Sequence, residues 1–348
     1  MEEEKKKKRS VGKIILIILA VLFLLLLIAV TVVLIFVNGM LNKLDRQEIT
    51  GDPNIPIEEL YEGTTVDVED SLEDIEQARQ ELEQVQQIDP METANITNVL
   101  LVGSDRRSAY ENGRSDSMMI VTMNHDTKKI HITSLMRAMY VAIPRSDGEV
   151  WDMLNASYSW GGTDLLLATI EKNFRVKIDH YIVVDLAAFD DVVDLMGGVD
   201  ITLTQTEASI IQRVTNKSVS AGLQHLDGEQ TWVYSRLRYI DNDFVRTSRQ
   251  RRVIEQLMKK ALTTDIPTLL EIANQVLPLV NTNLSNAQIL YYLTQAPMLL
   301  AEPITQRMLP IENEAGTSYI GRIYVGGREM YRVNFEENIK ALHEFMLS

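Results

Sequence analysis

Cysteine is absent from the 348 residues, which excludes thiol nucleophiles, disulfide exchange and cysteine-ligated zinc together. A glycine-rich dinucleotide fingerprint, a P-loop, His-Glu-x-x-His and Gly-x-Ser-x-Gly are missing too, so the familiar templates for nucleotide binding, zinc proteolysis and serine hydrolysis do not fit. The five histidines, at 125, 131, 180, 225 and 343, are scattered and read as structural rather than as a metal set. Positive charge is scarce: 34 Lys and Arg face 49 Asp and Glu, a net charge of -15. A chain this acidic lacks the broad basic surface that general nucleic-acid binding requires.

What is present begins with a membrane signal. Ile14 to Val37 is a run of 24 residues without a charge, and as a helix it would reach roughly 36 Å, enough for a hydrocarbon core of roughly 30 Å. A cleaved signal peptide would have a shorter apolar region and a small-residue cleavage site. Lys5 to Arg9 and Lys13 precede the run, so the positive-inside rule places residues 1–13 in the cytoplasm and the remainder outside the cell. The expected organisation is a cytoplasmic tail (1–13), a single transmembrane helix (14–37), an acidic linker (38–94) and one external domain (95–348). An external domain without disulfides must be held by its core, and this length is sufficient for one.

Ile57 to Asp89 holds twelve acidic residues and a single Arg. Within it, Leu72, Ile75, Ala78, Leu82 and Val85 fall at helical spacing over Ser71 to Gln87. A solvated stalk is one reading, and a docking helix is the other. From Ile96 onward, apolar runs at Asn98–Gly103, Met118–Met123, Ile130–Leu135 and Tyr181–Val184 predict buried strands. Helical patterns at Thr163–Asn173 and Ala187–Met196 alternate with them, and further helices are expected over Asp243–Leu262, Ile266–Val280, Ser285–Ala296 and Phe335–Leu347. The alternation predicts an α/β sandwich.

Against the acidic background, Leu226 to Leu262 carries eight Lys or Arg and five Asp or Glu, and six of the eight are Arg. Arginine presents a planar fork that matches phosphate bidentately, so an anionic ligand is the natural expectation. Arg236 and Arg238 share one side if their segment is extended, while Arg246 and Gln250, four apart, share a helical face. Together they make a plausible diphosphate clamp. A charged helix neutralised by Asp241 and Asp243 is the alternative, and Arg249, Arg251 and Arg252 read as a solvated face of that helix. Asp105 ends one strand and Asp116 opens the next, with Arg106, Arg107 and Arg114 between them and Arg137 just past a third strand. Two carboxylates so placed could share Mg²⁺, which binds through one or two carboxylates plus phosphate oxygens and water. Loop aspartates that only cap backbone would give the same spacing.

Taken together these segments resemble the LytR-CpsA-Psr family of Gram-positive cell-envelope proteins. The resemblance rests on Asn98-Val-Leu-Leu-Val-Gly-Ser-Asp105-Arg-Arg107, Arg114-Ser-Asp116, Leu135-Met-Arg137 and Asn155-Ala-Ser-Tyr-Ser-Trp-Gly-Gly162. It continues through Tyr181-Ile-Val-Val-Asp185, Gly197-Gly-Val199, Leu226-Asp-Gly-Glu-Gln230, Arg236-Leu-Arg238 and Asp243-Phe-Val-Arg246-Thr-Ser-Arg249-Gln250. It implies a three-layer α/β/α sandwich with a mixed central sheet. It also implies a transferase that moves an anionic glycopolymer, of teichoic acid or capsular type, from undecaprenyl diphosphate to peptidoglycan. In that family, acids matching Asp105 and Asp116 serve Mg²⁺ and catalysis. Matches of Arg107, Arg137, Arg236, Arg238, Arg246 and Gln250 hold the diphosphate, and Arg114 stands among them. Two positions depart from the family's usual pattern: Ala138 stands where Asp is common, and Met153 where Lys is common. A module that binds polyprenyl diphosphates without transfer, in a regulatory role, is therefore the alternative function. Thirteen residues before the membrane run leave no room for a cytoplasmic DNA-binding domain.

Overall fold

Strand β2 (Ile96–Ser104) is buried on both of its faces, which is why its sequence reads as a nearly continuous apolar run without alternation. It lies near the middle of a seven-stranded sheet in the order β1-β10-β7-β2-β3-β4-β11. The partners are β1 (Asp45–Arg46), β10 (Val280–Thr282), β7 (His180–Asp185), β3 (Ser115–Asn124), β4 (Lys129–Leu135) and β11 (Thr305–Leu309). β2 runs parallel to β7 and antiparallel to β3, so the sheet is mixed. A register shift between Gly103 and Ser104 bends the end of β2 where the candidate site lies, a common position for such an irregularity.

This computed structural model describes residues 31, 34–46, 71–91, 95–104, 113, 115–185, 189–237, 243–299, 301–311 and 320–348. The chain divides into two compact units, Met1–Leu44 and Asp45–Ser348. In the first, residues 34–41 are helical. Among the described residues no helix is long and apolar enough to cross a membrane, and most of the apolar run 14–37 lies outside them.

In the second unit, one face of the sheet presents Leu100, Val102, Met118 and Ile120 to helices α1 (Leu72–Val85), α2 (Leu154–Phe174) and α9 (Phe335–Leu347). The other face presents Val99, Met119, Val121 and Ile132 to Ile254 and Met258 of α6 (Asp243–Thr263) and to Tyr292 and Leu299 of α8 (Asn286–Leu299). A separate cluster joins α3 (Phe189–Leu195), the hairpin of β8 (Val199–Leu203) and β9 (Gly222–Leu226), α4 (Gln205–Thr215), α5 (Gly228–Arg236) and α6. Two further hairpins, β5–β6 (Tyr140–Arg145, Gly148–Met153) and β12–β13 (Ile320–Val325, Arg328–Val333), complete the strands.

Several elements differ from the sequence expectation. The helix read as a solvated stalk packs Ala78, Leu82 and Val85 into the main core, because its apolar stripe finds the sheet's helical layer to cover it. The helix expected over Thr163–Asn173 forms, but an unexpected helical stretch from Leu154 leads into it across a break at Gly161 and Gly162; the φ of 60° and ψ of -150° at Gly162 are open essentially to glycine alone. The helix expected over Ile266–Val280 stops at Val276 (α7, Ile266–Val276); a single turn at Leu277–Leu279 follows, and Val280 enters the sheet. Pro278, lacking an N–H, helps to end it.

Candidate functional site

Helix α6 supplies the main wall of a cavity of about 170 Å³. Arg246, Gln250, Val253, Ile254 and Leu257 all line it, positions that recur on one helical face. From Arg246 to Leu257 the helix rises roughly 16 Å, and along that rise the lining passes from polar to apolar. The sheet opposite repeats the gradient: Asp116, Ser117 and Gly103 line one part, and Leu101, Met119 and Ile182 line another. Phe189 and Val192 of α3 and Trp232 of α5 close the apolar part. The arrangement suits a ligand with an anionic head and a long hydrocarbon tail.

Of the residues singled out by sequence, Asp116, Arg236, Arg246 and Gln250 line this one cavity. Arg137 joins them through an ion pair in which its Nη1 donates to Asp116 Oδ1 at 2.8 Å. The backbone carbonyl of Arg137 accepts from Asn155 N–H at 3.2 Å, and that of Met139 from Leu154 N–H at 2.9 Å, so the start of α2 holds the turn that carries Arg137. Asp116 thus gives Arg137 a carboxylate partner although Ala138 supplies none. Met153, the other departure, packs against the core. Asp105, Arg107, Arg114 and Arg238 lie outside the described residues.

Arg236 closes a helix rather than sitting on an extended segment. Asp227 and Gln230 form a reciprocal capping box that starts α5, and the helix then runs through to Arg236. There the guanidinium lies 4.7 Å from the centre of the Trp232 ring, a cation–π contact that orients it toward the cavity wall it shares with Trp232. The alternation argued for Arg236 and Arg238 therefore does not describe Arg236.

The expectation for Arg249 and Arg251 is overturned outright. Arg249 is 2% exposed; its Nε donates to Glu207 Oε1 at 2.7 Å and its Nη1 to Leu237 O at 3.3 Å. Burial tends to raise the Glu207 carboxyl, but hydrogen bonds from Thr204 and Arg249 outweigh it and hold the group below its ordinary range. Arg251 is 8% exposed, donates to Gln306 at 3.3 Å, and is pushed down to about 10 by burial, with neighbouring Arg252 adding to the effect. Arg252 donates to the Tyr234 hydroxyl at 3.3 Å. Helix α6 is enclosed on more than one side, so a charge pattern does not reveal its solvent face. Glu207 was not among the candidates, although Thr204-x-x-Glu207 carries the capping-box signature that the structure forms.

Among the described residues, no group of three or more His, Asp or Glu side chains could hold a metal ion. Asp116 is the described member of the carboxylate pair read as Mg²⁺ ligands. One carboxylate beside arginines for phosphate matches in kind the donors Mg²⁺ takes, since the remaining ligands are ordinarily phosphate oxygens and water.

A family model described as the LytR_cpsA_psr family matches residues 63–340. The chain is 33% identical over 194 residues to the polyisoprenyl-teichoic acid–peptidoglycan teichoic acid transferase TagU of Bacillus cereus, a match that covers 55% of this chain and 61% of that protein. Its fold is similar to that of protein gbs0355 from Streptococcus agalactiae, with a TM-score of 0.61, 26% identity, and 72% and 86% of the two chains covered. It is also similar in fold to the LytR-CPS2A-psr family protein YwtF (TagT) with bound octaprenyl pyrophosphate lipid, with a TM-score of 0.55 at 22% identity over 75% of this chain and 95% of that one.

Proposed function

The chain belongs to the LytR-CpsA-Psr family, and from that premise we propose that it transfers an anionic glycopolymer from a polyprenyl diphosphate to peptidoglycan. The observation that carries this reading is the single face of α6 on which Arg246 and Gln250 give way to Val253, Ile254 and Leu257 within one cavity. A lipid diphosphate needs cations for its head and a dry wall for its tail, and that face offers both in the right order. The named activity of TagU and the octaprenyl pyrophosphate of YwtF point the same way.

In this reading Arg236, Arg246, Gln250 and Arg137 grip the diphosphate, with Arg107, Arg114 and Arg238 completing the clamp. An acceptor hydroxyl attacks the sugar-proximal phosphorus; the new O–P bond forms as the bridging P–O bond breaks, and polyprenyl phosphate leaves. The hydroxyl proton passes to the carboxylate of Asp116 or Asp105. Asp105 and Asp116 would hold Mg²⁺, which would neutralise charge on the phosphate oxygens. Positioning and charge stabilisation provide most of the rate in such transfers. The apolar run 14–37 would anchor the protein in the cell membrane, tail inside and domain outside, next to a donor that stays in the bilayer.

The test is transfer from a lipid-diphosphate oligosaccharide to peptidoglycan by the purified protein. Asp116→Ala should lower the rate by roughly 10²- to 10⁴-fold, the range for a lost acid–base group, while the lipid still binds. Unchanged turnover in that variant would sink the assignment. Ala138 and Met153, which stand where the family commonly has Asp and Lys, favour a second reading in which the protein binds the lipid without transfer. Turnover by Ala138→Asp alone, with none by the parent, would select it.

A further inference from the structure

Arg137 lines a second cavity, of about 180 Å³, whose other walls are Ala138 and three consecutive residues of β13: Glu329, Met330 and Tyr331. The Asp116–Arg137 pair thus stands between two spaces, because Asp116 lines the first cavity and Arg137 the second, with 2.8 Å between their bonded atoms. In phosphoryl transfer the attacking and leaving oxygens lie roughly in line on opposite sides of phosphorus. A donor whose lipid fills the first cavity leaves the opposite approach to its phosphorus on the Arg137 side.

We propose that this second cavity is the subsite for the acceptor sugar. The inference rests on the transferase reading and adds to it the place where the acceptor ring is held. The cavity opens to solvent, so a six-membered sugar ring can seat one face there while its substituents extend outward. Its chemistry suits the hydroxyl-bearing ring of a saccharide: Tyr331 offers an aromatic surface for a C–H face, and the Glu329 carboxylate accepts hydrogen bonds from hydroxyls. Ala138, with its single methyl, leaves that space open. The wall is also held in place. Tyr331 N–H donates to Ala138 O at 2.8 Å, and its ring packs edge-on against Phe244 at 5.6 Å between centres. Arg322 pairs with Glu329 at 3.1 Å. Arg328, next in line, makes a two-bond contact with the fully buried Asp152 at 2.9 and 3.1 Å. A preorganised wall binds without the entropic cost of ordering it.

The experiment uses the full-length protein in detergent micelles, a lipid-diphosphate oligosaccharide donor, and a soluble tetrasaccharide of alternating N-acetylglucosamine and N-acetylmuramic acid as acceptor. Glu329→Gln and Tyr331→Ala should each raise the acceptor KM roughly tenfold, the equivalent of one lost hydrogen bond or ring contact, and leave the donor KM within about twofold. Tyr331→Phe keeps the ring and its packing against Phe244 and should behave as the parent. Acceptor KM values unchanged in both Glu329→Gln and Tyr331→Ala would overturn the proposal. If the parent binds donor but does not turn over, the transferase reading fails by itself, and titration of the tetrasaccharide into lipid-loaded protein decides the subsite. Binding weakened by the two variants supports it; no binding, or equal binding in all, overturns it.

Discussion

Two carboxylates each fix one guanidinium at nearly the same distance, Glu207 on Arg249 at 2.7 Å and Asp116 on Arg137 at 2.8 Å, yet their surroundings give them different work. Arg249 and Glu207 have side chains only 2% and 5% exposed, whereas Arg137 and Asp116 retain 25% and 15%. The first pair is locked in the protein; the second remains open to a ligand. Breaking a buried pair by removing one partner leaves an uncompensated charge, so Glu207→Gln should cost about 3–5 kcal/mol in urea unfolding at pH 7. Because the folded Glu207 lies below its ordinary value of about 4.3, its contribution is complete above that pH and fades as pH falls through the folded value. The gap between parent and variant should therefore narrow below about pH 4, and a gap that stays constant to pH 3 would refute the linkage. In sequence, Asp116 and Arg137 could be picked out because they stand at strand ends. Arg246 and Gln250 could be picked out by their four-residue spacing. Arg249 could not, since its burial depends on Glu207, which is 42 positions away.

Helices α3 and α5 show how an element-level contact sets the shape of the cavity. Gly228, first residue of α5, donates its N–H to Asp194 Oδ1 at 2.7 Å, and a Cβ at this position would run into the backbone carbonyl of Asp190. The two helices approach closely because this residue has no side chain. Gly228→Ala should force them apart at a cost of about 1–3 kcal/mol. Phe189 and Val192 on α3 and Trp232 and Arg236 on α5 all line the cavity, so affinity for a lipid diphosphate should fall as well. Thermal unfolding and binding of a fluorescent polyprenyl diphosphate measure the two effects; a stability loss with affinity unchanged would show that the helices do not shape the cavity. Long elements such as α6 and α9 could be read from helical periodicity. The hairpins could not: β5 contains Pro144, which removes a ladder donor, and β9 is Gly-Leu-Gln-His-Leu, without a β-branched residue.

At the scale of the molecule, the acidic segment ahead of the sheet concealed a structural part. Twelve acids between Ile57 and Asp89 suggest a solvated linker, but acids on one side of a helix are compatible with an apolar stripe on the other. Helix α1 buries Ala78, Leu82 and Val85 in the main core, and its start and its Glu81 flank meet the β12–β13 hairpin. Ser71 N–H donates to Tyr324 O at 2.9 Å and Tyr324 N–H to Ser71 Oγ at 3.1 Å, while Arg332 Nη2 donates to Glu81 Oε1 at 2.5 Å. The segment therefore braces the same hairpin whose β13 strand walls the second cavity. A fragment of residues 95–348 should be less stable than one of residues 71–348 by on the order of 5 kcal/mol, from roughly 1.5–3 kcal/mol for each large buried apolar side chain. At about 2–4 °C per kcal/mol for a domain of this size, the melting temperature should drop by roughly 10–20 °C. Lipid-diphosphate binding at low temperature should survive, because α1 contributes nothing to the first cavity, whereas affinity for the acceptor tetrasaccharide should fall with the loosened hairpin. Equal melting temperatures for the two fragments would return the segment to the role of a linker.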